Sequence, residues 1–226
     1  ALSGYLGIDI VDGGDGNDTL WSGDSPIALI ADLAAGTTGD GDTLISIENL
    51  LGSNIADTLL GDAGVNTLTG NAGNDLLNGR GGADTLDGGT GTDTASYEDA
   101  AGAITVDLAL RTASDGDSLI SIENVTGSAF DDTLSGTAGA NIMRGLDGDD
   151  LLAGGLGNDT LDGGDGTDTV SYAAAAAVTV NLGAGTASGE GSDTLVAIEN
   201  VIGSAFDDVI TGSDGVNVID GGAGDD

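Results

Sequence analysis

Aspartate returns at a fixed interval of nine residues along much of this chain. It stands at Asp9 and Asp18, then at Asp57, Asn66, Asp75, Asp84 and Asp93, then at Asp132, Asn141, Asp150, Asp159 and Asp168, and finally at Asp208, Asn217 and Asp226. The surrounding template is Gly-Gly-x-Gly-x-Asp-x-apolar-x, cleanest at Gly154–Asp162 followed by Gly163–Ser171. Fifteen oxygen-bearing side chains at one register, each beside a glycine-rich turn, are what a hard cation needs. The chain has no histidine and no cysteine, so imidazole and thiolate sites are excluded. Calcium, which accepts six to eight oxygens in flexible geometry, fits better than magnesium, which demands a tight octahedron and keeps its water. Several such ions are expected, with all fifteen residues as candidate ligands.

Other chemistry has little to work with. A serine nucleophile would find no histidine or lysine as base, and the repeat already accounts for most of the carboxylates, so an enzyme is not expected. A net charge of −36, relieved only by Arg80, Arg111 and Arg144, offers no footprint for nucleic acid or an anionic membrane. No run approaches the roughly 18 apolar residues of a membrane span.

The elements that must position these aspartates follow from the template. Positions one to six form a turn, and its glycines permit positive φ and close backbone approach. Positions seven to nine form a short strand whose central apolar residue points inward, as at Leu77, Leu86, Leu152, Leu161 and Val170. Successive nonapeptides fall on opposite sides of a flattened coil, so residues 18 apart stack at about 4.8 Å. Two carboxylates about 5 Å apart repel by roughly 1 kcal/mol in water and by up to about 3 at an effective dielectric of 20. Folding and calcium loading are therefore expected to be one event. The fold expected is all-β: a right-handed parallel β-roll, or β-solenoid, of stacked nonapeptides with calcium in the turns. The amides Asn66, Asn141 and Asn217 should weaken the sites that hold them, which should load last.

A second period of about 75 residues is marked by Ile47-Glu48-Asn49, Ile122-Glu123-Asn124 and Ile198-Glu199-Asn200. It divides the chain into units 1–75, 76–150 and 151–226 of one continuous roll, with nonapeptide runs at 4–21, 52–96, 127–171 and 203–226. Between runs, Ile104–Leu108, Val178–Leu182 and Leu119–Ile122 read as strands that continue the stack with longer turns. Asp226 is in register with Asp150 and Asp75, and Ala1 with Leu151 and Leu76. The expectation is three units of a longer array, with head-to-tail stacking of copies as the alternative.

The iterated motif resembles the repeats-in-toxin (RTX) family, the haemolysin-type calcium-binding repeats of bacterial exoproteins. The resemblance implies a β-roll with calcium in its turns, type I secretion of an unfolded chain, and folding in calcium-rich medium outside the cell. On that reading the chain is a calcium-binding structural region of a surface layer, adhesin or extracellular filament, whose partners are calcium, copies of itself and other surface components. The alternative is a module that assists folding and secretion of an attached enzyme or toxin.

The remaining residues carry weaker signals. Asp40 with Asp42, and Asp115 with Asp117, read as turn residues with extra ion binding as the second choice; Glu48, Glu123 and Glu199 read as solvated or capping residues. Asn49, Asn124 and Asn200 should satisfy a bend. Tyr97 with Tyr172, and Phe130 with Phe206, occupy equivalent places and read as packing residues, whereas Trp21, the sole tryptophan, falls at an outward ninth position.

Overall fold

A computed structural model describes residues 1–4 and 7–226; Tyr5 and Leu6, part of the first expected nonapeptide run, lie outside the described residues. The described chain is all-β, with 26 short strands. Most strands are three residues long and coincide with template positions seven to nine, as in Thr58–Leu60, Thr67–Thr69, Leu76–Asn78, Thr85–Asp87 and Thr94–Ser96. A β-branched threonine often leads the strand, and the following turn limits its length. Parallel pairing sets Thr58 opposite Leu76 and Thr85 opposite Thr67, the 18-residue register of a coil with two nonapeptides per revolution. The position-eight side chains turn inward: Leu59, Leu68, Leu77, Leu86, Leu134, Leu152, Leu161 and Val170 are all completely buried.

The residues divide into two compact units. The first comprises Ala1–Tyr97 with Arg111–Ile122, the second Glu98–Leu110 with Glu123–Asp226. One sheet of the first unit runs Ile10–Asp12, Thr43–Ile45, Thr37–Thr38, Ile30–Asp32, Thr58–Leu60, Leu76–Asn78, Thr94–Ser96; the other runs Thr19–Trp21, Asn49–Leu51, Thr67–Thr69, Thr85–Asp87, Ser118–Ile120, Thr112–Ala113. The second unit is built alike, with Asn124–Thr126, Ile142–Asp147, Thr160–Asp165, Ser192–Val196, Thr186–Ser188, Thr179–Asn181 and Val209–Thr211 in one sheet. Its other sheet holds Thr105–Asp107, Thr133–Ser135, Leu151–Ala153, Thr169–Ser171, Asn200–Ile202 and Ile219–Asp220.

The insertions between nonapeptide runs do not simply continue the parallel stack. In the first, Ile30–Asp32 pairs parallel with Thr58–Leu60 ahead of it, then Thr37–Thr38 and Thr43–Ile45 fold back antiparallel until Thr43 lies opposite Ile10. The third repeats this with Thr179–Asn181, Thr186–Ser188 and Ser192–Val196. A left-handed residue reverses the chain at the first hairpin turn: Gly36 at φ 67°, Gly185 at φ 66° and, in the second insertion, Arg111 at φ 63°. The expected strands at 104–108, 119–122 and 178–182 are present as Thr105–Asp107, Ser118–Ile120 and Thr179–Asn181.

Candidate metal centre

Each position-six aspartate sits where its own turn closes onto the strand, and the stacked coil brings the next one beneath it. The backbone N–H of Asp57 donates to Asp75 Oδ1 at 2.8 Å, and that of Asp75 to Asp93 Oδ1 at 2.8 Å. Asp132 donates to Asp150 at 2.7 Å, Asp150 to Asp168 at 2.9 Å and Asp208 to Asp226 at 2.9 Å. On the opposite edge Asn66 donates to Asp84, and Asn141 to Asp159, both at 2.8 Å. One carboxylate oxygen per turn thus holds the stack together. From Asp57 to Asp208 every position-six side chain is buried, whereas Asp9, Asp18 and Asn217 are half-buried and Asp226 is exposed.

The second oxygen separates these residues into classes. At the head of the last three runs it is satisfied by protein: Ser53 N–H donates to Asp57 Oδ2, Ser128 N–H to Asp132 Oδ2 and Ser204 N–H to Asp208 Oδ2, each at 2.5 Å, while the serine hydroxyls donate to the paired Oδ1 atoms. In the asparagines both ends of the amide are used. Asn66 accepts from Asp62 N–H and donates to the Glu48 carbonyl, Asn141 accepts from Thr137 N–H and donates to the Glu123 carbonyl, and Asn217 accepts from Ser213 N–H and donates to the Glu199 carbonyl. In Asp75, Asp84, Asp93, Asp150, Asp159 and Asp168 the buried Oδ2 has no hydrogen-bond partner. A buried, unpaired carboxylate oxygen is costly unless a cation meets it.

Electrostatics agree with this division. Burial raises the carboxyls of Asp75, Asp84, Asp150 and Asp159 from near 3.8 to about 6, against the partial relief of the N–H each accepts. Asp168 is raised for the same reason. Asp208 goes the other way, because hydrogen bonds from Val178 and Ser204 outweigh its desolvation. The orphaned oxygens face the first glycine of their own turns, so a β-carbon on Gly70 would stand 2.1 Å from Asp75 Oδ2, and one on Gly145 1.8 Å from Asp150 Oδ2. Only glycine leaves that space. Among the described residues no point gathers three or more acidic side chains, so an ion in a turn would draw most of its six to eight oxygens from neutral donors, backbone carbonyls and water.

Three aspartates outside the nonapeptide count belong to the same ladders. Asp42 Oδ1 accepts from Asp9 N–H at 2.7 Å, Asp117 Oδ1 from Asp84 N–H at 2.8 Å and Asp193 Oδ1 from Asp159 N–H at 3.1 Å, and all three are buried. Asp42 and Asp117 are therefore structural members of the stack rather than simple turn residues. Asp193 was not singled out in the sequence, although Asp-Thr-Leu at 193–195 repeats the Asp-x-apolar signature. Two of the repeated glutamates act as caps: Asp18 N–H donates to Glu48 Oε2 at 2.8 Å and Asp168 N–H to Glu199 Oε2 at 2.9 Å. Asn49, Asn124 and Asn200 accept backbone N–H groups of Thr67, Ile142 and Val218 in the next turn. Arg80 donates to both oxygens of Asp32 and to the Gly61 carbonyl, and holds the Asp32 carboxyl below its ordinary range.

Tyr97 and Tyr172 are buried as expected, with their hydroxyls directed to Asp117 Oδ2 at 3.4 Å and Asp193 Oδ2 at 2.9 Å. Phe130 and Phe206 are not packing residues; they sit in turns, 44% and 56% exposed, where the close approach of the next glycine turn leaves no room inside.

No curated protein matches the chain in sequence. The family model described as RTX calcium-binding nonapeptide repeat (4 copies) matches residues 2–25, 60–95, 126–161, 144–174 and 198–226, more than half of the chain. These segments contain all six aspartates whose Oδ2 is orphaned. The residues fit a calcium ion, and the chain belongs to the family of RTX calcium-binding nonapeptide repeats.

Proposed function

We propose that calcium held between stacked turns folds this chain outside the cell, and that the folded roll is a structural region of a surface layer, adhesin or filament of a secreted bacterial protein. The observation that carries the metal assignment is the set of six buried carboxylate oxygens without a protein partner. Asp75, Asp84, Asp93, Asp150, Asp159 and Asp168 are the principal ligands of this proposal. Asp9, Asp18, Asp57, Asp132, Asp208 and Asp226 contribute at the ends of the ladders, and the turns of Asn66, Asn141 and Asn217 load last. The units 1–75, 76–150 and 151–226 are read as copies of one such element.

Few carboxylates per ion and a majority of neutral ligands give the weak affinity of extracellular calcium modules, on the order of 10⁻⁴–10⁻³ M. A surface lying at −36 net charge is solvated when the ions are loaded and self-repelling when they are not. Isothermal calorimetry of the metal-free chain tests the assignment. Half-saturation near millimolar calcium supports an extracellular role, and half-saturation at micromolar calcium or below contradicts it.

A further inference from the structure

The three insertions are alike in backbone but differ at one buried place. Tyr97 and Tyr172 each directly follow the last strand before an insertion, and each ring is buried, at 3% and 4% exposure. In both, the insertion aspartate divides its oxygens: Oδ1 accepts a backbone N–H from the neighbouring turn, and Oδ2 accepts the tyrosine hydroxyl. The first insertion has Ser22 at this place. Its aspartate, Asp42, is equally buried and its Oδ1 accepts Asp9 N–H at 2.7 Å, as in the other two.

A cavity of about 410 Å³ is lined by Ser22 and Asp42, which stand where the later insertions carry the tyrosine and its aspartate, together with Leu20, Trp21, Leu29, Asp24 and Asp40 among others. That volume is within the range of small-molecule sites, roughly 300–1,000 Å³. Its walls combine apolar side chains with carboxylates, Asp42 among them, and that pairing suits a ring carrying one hydroxyl donor. We infer that this cavity binds a phenol, with the ring against Leu20, Leu29 and Trp21 and the hydroxyl donating to Asp42 Oδ2. The occupant of the sister cavities on the same chain defines the chemistry.

Trp21 is the only tryptophan, so its indole N–H resonance reports the cavity directly. The calcium-loaded chain is titrated with p-cresol, with toluene and with N-acetyltyrosinamide. The expected result is a saturable shift with p-cresol at least tenfold tighter than with toluene, lost in Ser22→Tyr, where the chain supplies the ring. A matching response to N-acetyltyrosinamide identifies a tyrosine side chain as the ligand; a response to p-cresol alone identifies a small free phenol. In Tyr172→Ala, p-cresol is expected to raise the unfolding temperature by refilling the cavity made there. No saturable shift in the parent chain, or an unchanged shift in Ser22→Tyr, would overturn the assignment.

Discussion

At the scale of single residues, the chain makes a sharper distinction than aspartate against asparagine. Each of Asn66, Asn141 and Asn217 stands 18 residues after Glu48, Glu123 or Glu199 and donates to that residue's carbonyl, which a carboxylate cannot do. The amide is therefore a structural donor beneath an insertion. Asn141→Asp removes the donor and adds charge, and is expected to lower stability by about 1–3 kcal/mol in saturating calcium, read from denaturant unfolding. Asp150→Asn alters an orphaned carboxylate, and is expected to reduce the number of ions bound in equilibrium dialysis. The nine-residue rhythm made the fifteen position-six residues legible. Ser53, Ser128 and Ser204 were not, because Gly-Ser at a turn is ordinary chemistry and only the fold shows its hydroxyl and N–H reaching Asp57, Asp132 and Asp208.

At the scale of elements, the three-residue strands and their inward leucines follow from the template, whereas the folded-back insertions do not. Thr37–Thr38 and Thr112–Ala113 are two residues long, too short to show an alternating pattern. Their direction depends on one left-handed residue, and Arg111 at that place disguises its equivalence to Gly36 and Gly185. Arg111 shows that a side chain can stand at this place, but a β-carbon on Gly185 would lie 2.7 Å from the Leu195 carbonyl oxygen, so Gly185→Arg is expected to cost about 1–2 kcal/mol. Gly185→Val, which places a β-branched side chain at φ 66°, is expected to cost more than the roughly 1–2 kcal/mol of an ordinary left-handed residue, measured by thermal unfolding with calcium present. An odd number of nonapeptide strands, five from Thr58–Leu60 to Thr94–Ser96, separates the first two insertions. This parity explains why, in the first unit, Thr43–Ile45 and Ser118–Ile120 lie in different sheets.

At the scale of the whole molecule, charge decides when the fold exists. The raised carboxyls of Asp75, Asp84, Asp117, Asp150 and Asp159 bind protons more tightly folded than unfolded. Their contribution to the metal-free fold is fully present below the ordinary value near 3.8 and is lost as pH rises through about 6. Circular dichroism in calcium-free buffer is therefore expected to show more β structure at acid pH than at neutral pH. Calcium should reverse that order, because the ion binds the deprotonated carboxylate.

The most direct test of the central claim is circular dichroism of the chain at neutral pH during a calcium titration from a chelated start, with magnesium as control. The account predicts little β signal in chelator and a cooperative gain with calcium but not with magnesium. A complete β signal already present in chelator would contradict it, leaving a roll whose buried carboxylates need no ion.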